Sequence, residues 1–363
     1  MPGLRYALIG SGMMGHEHIR NIALLPDAKV TALADPDEGM RASAARLAGG
    51  KVAMFADHRA LIDARLADVL VIASPNHTHE AILLDVLASG LPILVEKPVC
   101  ITPEACRRVL AAAGARKSPV WVAMEYRYMA PVARLIEDVH AGKTGRLRMF
   151  SIREHRFPFL RKVGDWNRFN RQTGGTLVEK CCHFFDLMRL VMRSEPVRIY
   201  ASGAMDVNHL GESYGGERPD IIDNAYVIVD FAGGARAMLE LCMFAEGSYF
   251  QEHITAVGDT AKIEALVPGP ARFWPEGNRE AELVFSPRDP KRPVRETVHV
   301  DAAILAAGDH HGSTFHQHSR FRDIVLNGGE PEVTLRDGLR AVEMGAAAER
   351  SARTGEAIAL AAV

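Results

Sequence analysis

The sequence predicts a chain of two parts. The first is α/β, a doubly wound parallel sheet; the second is α+β, a mainly antiparallel open sheet packed on helices. Three observations carry this reading. Strand-like and helical segments alternate through the first third of the 363 residues, the order that builds a parallel sheet through right-handed crossovers. Beyond residue 126, strand-like runs follow one another without intervening helices, which implies antiparallel pairing. A glycine-rich turn separates the first strand from the first helix. A chain of this length exceeds the usual single domain. The boundaries are expected at 1–126 and 127–363, with the C-terminal helices placed to pack back on the first part.

Arg5–Gly10 is the first strand, and the turn reads Gly10-Ser11-Gly12-Met13-Met14-Gly15. Ile19, Ile22 and Leu25 then mark a helix. Between a strand and a helix this spacing has a mechanical meaning. Gly10 permits the tight turn. Gly12, with Met13 and Met14 beside it, brings backbone amides close to a pyrophosphate, and Gly15 lets the helix approach the strand. The helix N-terminus turns partial positive charge toward the phosphates. Lys29–Ala34, β-branched and apolar, is the second strand. Asp35 closes it twenty residues past Gly15, where a carboxylate accepts hydrogen bonds from an adenosine ribose. Asp37 and Glu38 follow, and no Arg or Lys intervenes before Arg41; these carboxylates repel a 2′-phosphate. The expected cofactor is therefore NAD rather than NADP, on a Rossmann domain. Asp35 suits the cap of the next helix equally well, and the two roles are compatible.

Lys51–Phe55 is a short third strand. Ala67–Ala73 is a continuous apolar run, as expected of a parallel strand covered on both faces. A helix over His79–Ala88 leads to another buried strand, Pro92–Val95. Thr102-Pro103-Glu104 starts a helix with a Thr cap and a first-turn Pro, and Val120–Met124 adds a further strand. In the second part a helix over Tyr128–His140 precedes the extended run Arg146–His155, and a long helix covers Thr176–Met192. Strands follow over Val197–Ala204, Ile221–Phe231, Arg236–Phe244, Phe250–Gly258 and Lys262–Val267. Ala225–Val229 and Ala237–Met243 are apolar on both faces. One face is expected to pack on the long helix and the other on a partner subunit, giving a homodimer or homotetramer. Phe273–Arg295, rich in Pro, Arg and Glu, reads as a surface excursion. Helices over Ser313–Leu326 and Leu335–Thr354 end the chain.

Hydrophobic residues make up 48% and charged residues 24%, ordinary values for a globular protein. A net charge of −2 gives no case for nucleic acid or an anionic membrane as partner, and no apolar run reaches the length that spans a bilayer. Met1–Arg5 leads straight into the first strand, leaving no room for a signal peptide. The five cysteines are odd in number and lack C-x-x-C spacing. That argues against a disulfide framework or structural zinc and for a reducing, cytoplasmic compartment.

Val95-Glu96-Lys97-Pro98 ends a strand predicted to be central, and ligands collect beyond the carboxyl ends of such strands. Pro98 biases Lys97 away from helix, so its amine can reach the crevice to bind a hydroxyl or, partly desolvated, to act as a base. A surface lysine paired with Glu96 fits the spacing as well. Thr176 and Glu179 have capping-box spacing. Leu177, Cys181, Phe184, Met188 and Val191 form a core stripe. Glu179, His183 and Asp186 share a different face: a carboxylate, an imidazole suited to proton transfer and a second carboxylate. Capping, burial and a salt bridge are the competing roles. His310, His311, His316 and His318 fall within nine residues, but no Cys or carboxylate stands at metal-ligand spacing and His316 and His318 point apart on a helix. No metal is expected there; a Ser or Thr cap starts the helix and His311 reaches the substrate.

Taken together, Gly10–Gly15, Asp35, Pro75-Asn76 with His79, Glu96-Lys97-Pro98 and the motif ending His183-Phe184-Phe185-Asp186 resemble the Gfo/Idh/MocA family of sugar and cyclitol oxidoreductases, over nearly the whole chain. The resemblance implies that Lys97 and His183 are the catalytic pair at a substrate alcohol, with Glu179 third. It implies cofactor contacts from Ser74, Asn76, His79, Glu96, Lys97, Arg127, Trp166 and Arg168. Tyr126, Arg156, Glu179, His183 and His311, with Lys97, are then expected around a small carbohydrate or cyclitol. Glu179 stands where the family usually has Asp, and Lys180-Cys181-Cys182 replace a smaller run before the histidine. Two other activities use the same fold: an NAD-dependent glycosidase working by transient oxidation, and a non-enzymatic NAD-binding regulator.

Overall fold

A computed structural model of the chain describes residues 3–274, 277 and 279–361. Six parallel strands form the first sheet in the order β3-β2-β1-β4-β5-β6. They are β1 (Leu4–Ile9), β2 (Ala28–Ala34), β3 (Ala53–Phe55), β4 (Val69–Ile72), β5 (Ile93–Val95) and β6 (Val120–Val122). β4, β5 and β6 are buried at every position, the outcome of covering both faces with helices. The order reverses between β1 and β4, and crevices form at the carboxyl ends there. Gly10 takes φ +100°, and a Cβ on it would fall 2.5 Å from the Ala73–Ser74 backbone; one on Gly15 would fall 2.5 Å from the Gly10 carbonyl. The turn from β1 into helix α1 (Met13–Ala23) thus needs both glycines.

The second sheet has nine strands: β7 (Leu147–His155), β8 (Pro196–Ala204), β9 (Asn224–Phe231), β10 (Arg236–Cys242), β11 (Glu252–Gly258), β12 (Ala261–Val267), β13 (Ala281–Pro287), β14 (Val294–Val298) and β15 (Ile358–Ala359). Their order is β14-β13-β12-β11-β7-β10-β9-β8-β15. All pairs are antiparallel except β7 with β10. Phe150, Ile152, Val227, Val229, Leu239, Ile254 and Ile263 alternate onto a buried face. Helices Ala130–His140, Cys182–Met192 and Leu335–Thr354 pack on the sheet. On the other face Tyr200, Ile228 and Met238 stand opposite one another across three strands. They are exposed in the single chain, as is Tyr226.

Two expectations are corrected. Phe273–Arg295 is not a plain excursion: it supplies β13 and the start of β14, while residues 275, 276 and 278 lie outside the described residues. Polar edge strands escape a search for alternation because their outer positions face water. The helix expected over Thr176–Met192 is two helices, Thr176–Glu179 and Cys182–Met192. No capping box starts it. Gly175 occupies the cap position, and the Thr176 hydroxyl donates to the Ile222 carbonyl at 2.7 Å. Helix Leu335–Thr354 has a capping box from Thr334 and Asp337, and it packs on both sheets through β6 and β8. Among the described residues no helix is long and apolar enough to cross a membrane.

Candidate active site

A cleft of about 1500 Å³ opens beyond the carboxyl ends of β1, β4 and β5 and reaches the helix that bears His183. Gly10, Gly12, Met13, Met14, Asp35, Ser74, Asn76, Glu96, Lys97 and Trp166 line it. These residues fit a dinucleotide. A Cβ on Gly12 would meet nothing within 4 Å, so the turn faces open space. Ser11 Oγ and Asn76 Nδ2 are buried with no hydrogen-bond partner among the described residues. Asp35 Oδ2 accepts from the Ser11 amide at 2.7 Å and Oδ1 from the Asp37 amide at 2.9 Å. Asp37, not Asp35, caps the next helix through the Met40 amide, which leaves Asp35 at the mouth. Arg41 is spent on the Asp35 carbonyl.

At the other end of the cleft the two parts of the chain meet. Lys97 Nζ donates to the Glu179 carbonyl at 3.1 Å. The Glu96 carboxylate accepts from the Lys97 amide at 3.2 Å through Oε2 and bonds His18 at 3.0 Å through Oε1. His18 in turn meets His318 at 2.8 Å. His183 is buried, its Nδ1 without a hydrogen-bond partner among the described residues, and the Tyr126 ring stacks on it. Burial first, then the charges of Lys97 and Lys180, holds this imidazole well below the usual histidine range. It is therefore neutral at pH 7 and able to accept a proton. Glu179 Oε1 receives Lys162 Nζ at 3.3 Å, and its buried Oε2 has no partner. Unspent donors and acceptors around one cavity are what a polyhydroxylated ligand requires.

Tyr126, Arg156 and His311 also line the cleft. Gly15 packs against Gly10, the close approach of helix to strand expected of it. Three residues expected at the cofactor are turned elsewhere. His79 is fully buried, bonded to the carbonyls of Ser74 and Pro98 at 2.9 Å. Arg168 pairs with Glu212 at 2.9 Å. Arg127 closes on Asp186 with two contacts of 2.5 Å, which takes Asp186 off the face it was expected to share with Glu179 and His183. The expected Ser or Thr cap at residue 313 or 314 is also absent: Gly312 holds that position, and the Thr314 hydroxyl lies within hydrogen-bond distance of Glu17 and Glu125.

Sequence reasoning missed Lys162, Lys180 and the cluster of Glu17, Glu125 and His310. His310 Nδ1 lies 2.7 Å from Glu17 and 3.4 Å from Glu125. Burial pulls His310 down, but the charges of Glu17 and Glu125 outweigh it and lift it to about 9. The only sequence signal for this cluster was the crowding of histidines.

Fold and cleft define a dinucleotide-binding oxidoreductase. Residues 4–124 match the family model described as "Oxidoreductase family, NAD-binding Rossmann fold", and residues 136–360 match "Oxidoreductase family, C-terminal alpha/beta domain". The chain belongs to this family, Gfo/Idh/MocA, and is an NAD-binding oxidoreductase. It is 31% identical over 196 residues to the rhizopine catabolism protein MocA of Rhizobium meliloti, covering 54% of this chain and 59% of that protein. To inositol 2-dehydrogenase 2 of Saccharopolyspora erythraea it is 29% identical over 289 residues, 78% of this chain and 80% of the relative. A levoglucosan dehydrogenase solved with NADH and levoglucosan shares the fold, with TM-score 0.81 and 22% identity over 98% of this chain and 99% of that one.

Proposed function

We propose that the protein oxidises a secondary alcohol of a sugar, sugar derivative or cyclitol. The observation that carries this reading is the contact of Lys97 Nζ with the Glu179 carbonyl at 3.1 Å. It brings an amine at the end of β5 and an imidazole on the His183 helix into one cleft beside the glycine turn. NAD, when bound, supplies the hydride acceptor. Gly10, Gly12, Met13, Met14 and Asp35 would hold its adenosine and pyrophosphate half, with Ser74, Asn76, Glu96 and Trp166 toward the other half. Lys97 spends one N–H on Glu179 and keeps two for the substrate oxygen. His183, held neutral, takes the hydroxyl proton, while Glu179 Oε2 accepts from a neighbouring hydroxyl. Such positioning and proton management are the protein's share of the reaction. The names of the inositol and levoglucosan dehydrogenases support the substrate class. The exposed row of Tyr200, Ile228 and Met238, with Tyr226 beside it, supports a homodimer or homotetramer through that face.

The test is a panel of monosaccharides, inositols and aryl glycosides followed for NADH formation, with NADP as control. NAD-dependent turnover of a polyol is the expected result. Hydrolysis of an aryl glycoside without net NADH would replace the reading with a glycosidase. Tight NADH binding with no turnover of any kind would replace it with a regulator.

A further inference from the structure

The substrate end of the cleft is rich in basic side chains. Lys97, Arg156, Lys162 and Lys180 all line it. Glu179 answers Lys162. Glu96 is bonded to His18, and Glu17 and Glu125 are taken up by His310. Lys180 sits in the break between the two short helices and sends Nζ to the Tyr126 hydroxyl at 2.5 Å and to Glu154 Oε1 at 2.8 Å. Arg156 donates Nε to the Phe157 carbonyl at 3.2 Å. Its nearest carboxylate oxygen among the described residues is that same Glu154 Oε1, at 3.6 Å, too far for a hydrogen bond.

Glu154 is fully buried behind this wall, directly across the strand pair from buried Glu252. Burial, and then the charge of Glu154, pushes Glu252 up to about 7. Burial and the charge of Arg156 draw Lys180 down to about 8 as well, so the two cations outweigh the carboxylate pair by only a fraction of a charge. Arg156 and Lys180 both line the cleft, and among the described residues the Arg156 Nη groups have no carboxylate within hydrogen-bond distance. Desolvated cations without a full counter-charge are costly, and a planar fork beside an ammonium is the donor set that matches a carboxylate.

We propose that the oxidised polyol carries a carboxylate, as aldonic and uronic acids do, and that Arg156 and Lys180 bind it. This rests on the polyol-oxidation reading and narrows its substrate class. A carboxylate is favoured over a phosphate because the surplus on Arg156 and Lys180 is less than one charge, which a dianion would far exceed.

Calorimetric titration of the NADH-loaded protein tests it. The probes are pairs that differ only in the acid group: D-gluconate against D-glucitol, D-glucuronate against D-glucose and D-galacturonate against D-galactose, with glucose 6-phosphate as the phosphate control. The acid of at least one pair is expected to bind about tenfold or more tighter than its neutral partner. Arg156→Gln should erase that advantage while NADH affinity stays unchanged, and Arg156→Lys should keep part of it. Equal or tighter binding of the neutral member in every pair overturns the proposal, and this comparison needs no variant. Tighter binding of the phosphate than of any acid, or an equal loss for both members in Arg156→Gln, overturns it as well. An acid that binds with the expected preference but is never oxidised overturns the dehydrogenase reading and leaves the carboxylate site standing.

Discussion

The ring of Tyr126 lies flat on the imidazole of His183, with centroids 4.1 Å apart and planes 11° apart, while its hydroxyl reaches Lys180. One side chain thus sets the plane of the His183 imidazole and ties it to Lys180. Tyr126→Phe keeps the stacked ring and loses only the tie to Lys180. It is expected to raise KM severalfold with kcat within about twofold of the parent, whereas Tyr126→Ala, which unseats the imidazole, lowers kcat by about tenfold or more. Steady-state kinetics of the two variants side by side check the division.

Lys97→Ala removes the proposed donor to the substrate oxygen and leaves the glycine turn intact. NADH affinity, read by fluorescence titration, should stay within about threefold of the parent, while turnover falls by about 10²–10⁴-fold. Turnover at the parent rate would remove Lys97 from the chemistry. The pH profile reports on His183 independently. Its folded-state value is depressed, so the neutral, proton-accepting form persists as pH falls below the ordinary histidine value of 6.5. The acid limb of kcat/KM attributable to this group is therefore expected below pH 6.5, and a limb above that value contradicts the assignment.

Arg127 looked from sequence like a cofactor contact, but its guanidinium is buried against Asp186, with the Glu332 carbonyl at 2.7 Å as third partner. Truncation would leave a buried carboxylate without its counter-ion. Arg127→Ala should therefore cost about 3–5 kcal/mol of stability, read as a large fall in Tm or loss of soluble protein. Folded molecules of the milder Arg127→Lys variant should bind NADH as the parent does. A selective loss of NADH affinity in that variant would restore the cofactor role.

These examples show which features local sequence encodes. The glycine turn and Asp35 were legible because tight turns and close approach are demands on single residues at fixed offsets. The helix break at Lys180 was not. No Gly or Pro marks it, and Lys180 itself is held by Glu154, which lies distant in sequence on β7. The choice between His310 and His311 was hidden for a related reason. His311 takes φ +50°, so the two neighbouring imidazoles leave the chain in directions that helical or strand periodicity does not describe. β14 was masked because an edge strand keeps its outward residues polar, and β13, which lies inside the sheet, because the run around it is rich in Pro, Arg and Glu.

The outer face of the second sheet gives a prediction about assembly. Tyr200, Ile228 and Met238 form one cross-strand row, and burial of such a row drives association. The parent is expected to be at least a dimer at micromolar concentration by light scattering, and Ile228→Glu should shift it toward monomer without lowering NADH affinity. A monomeric parent contradicts the assignment of this face.

The cluster of Glu17, Glu125 and His310 fastens the segment ahead of helix Ser313–Asn327 onto α1. Gly308 packs against the Glu17 side chain, and the Thr314 hydroxyl lies within hydrogen-bond distance of both carboxylates. His310 is raised from 6.5 to about 9 in the fold. A raised value means the folded state holds the proton more tightly than the unfolded one. The stabilisation is complete below pH 6.5 and is lost as pH climbs through about 9. Glu17 runs the other way. Burial pushes it up, but the charge and hydrogen bond of His310 outweigh that and leave it at about 2, against 4.5 when exposed. Its contribution is present above pH 4.5 and fades as pH falls through 2. Thermal melting should therefore show a plateau from about pH 4.5 to 6.5 for the part of the stability that the Glu17–His310 pair supplies. His310→Gln should flatten the decline between pH 6.5 and 9 relative to the parent, and Tm measured across that range in both proteins is the check. Parallel curves would mean that the loop is held by packing rather than by charge.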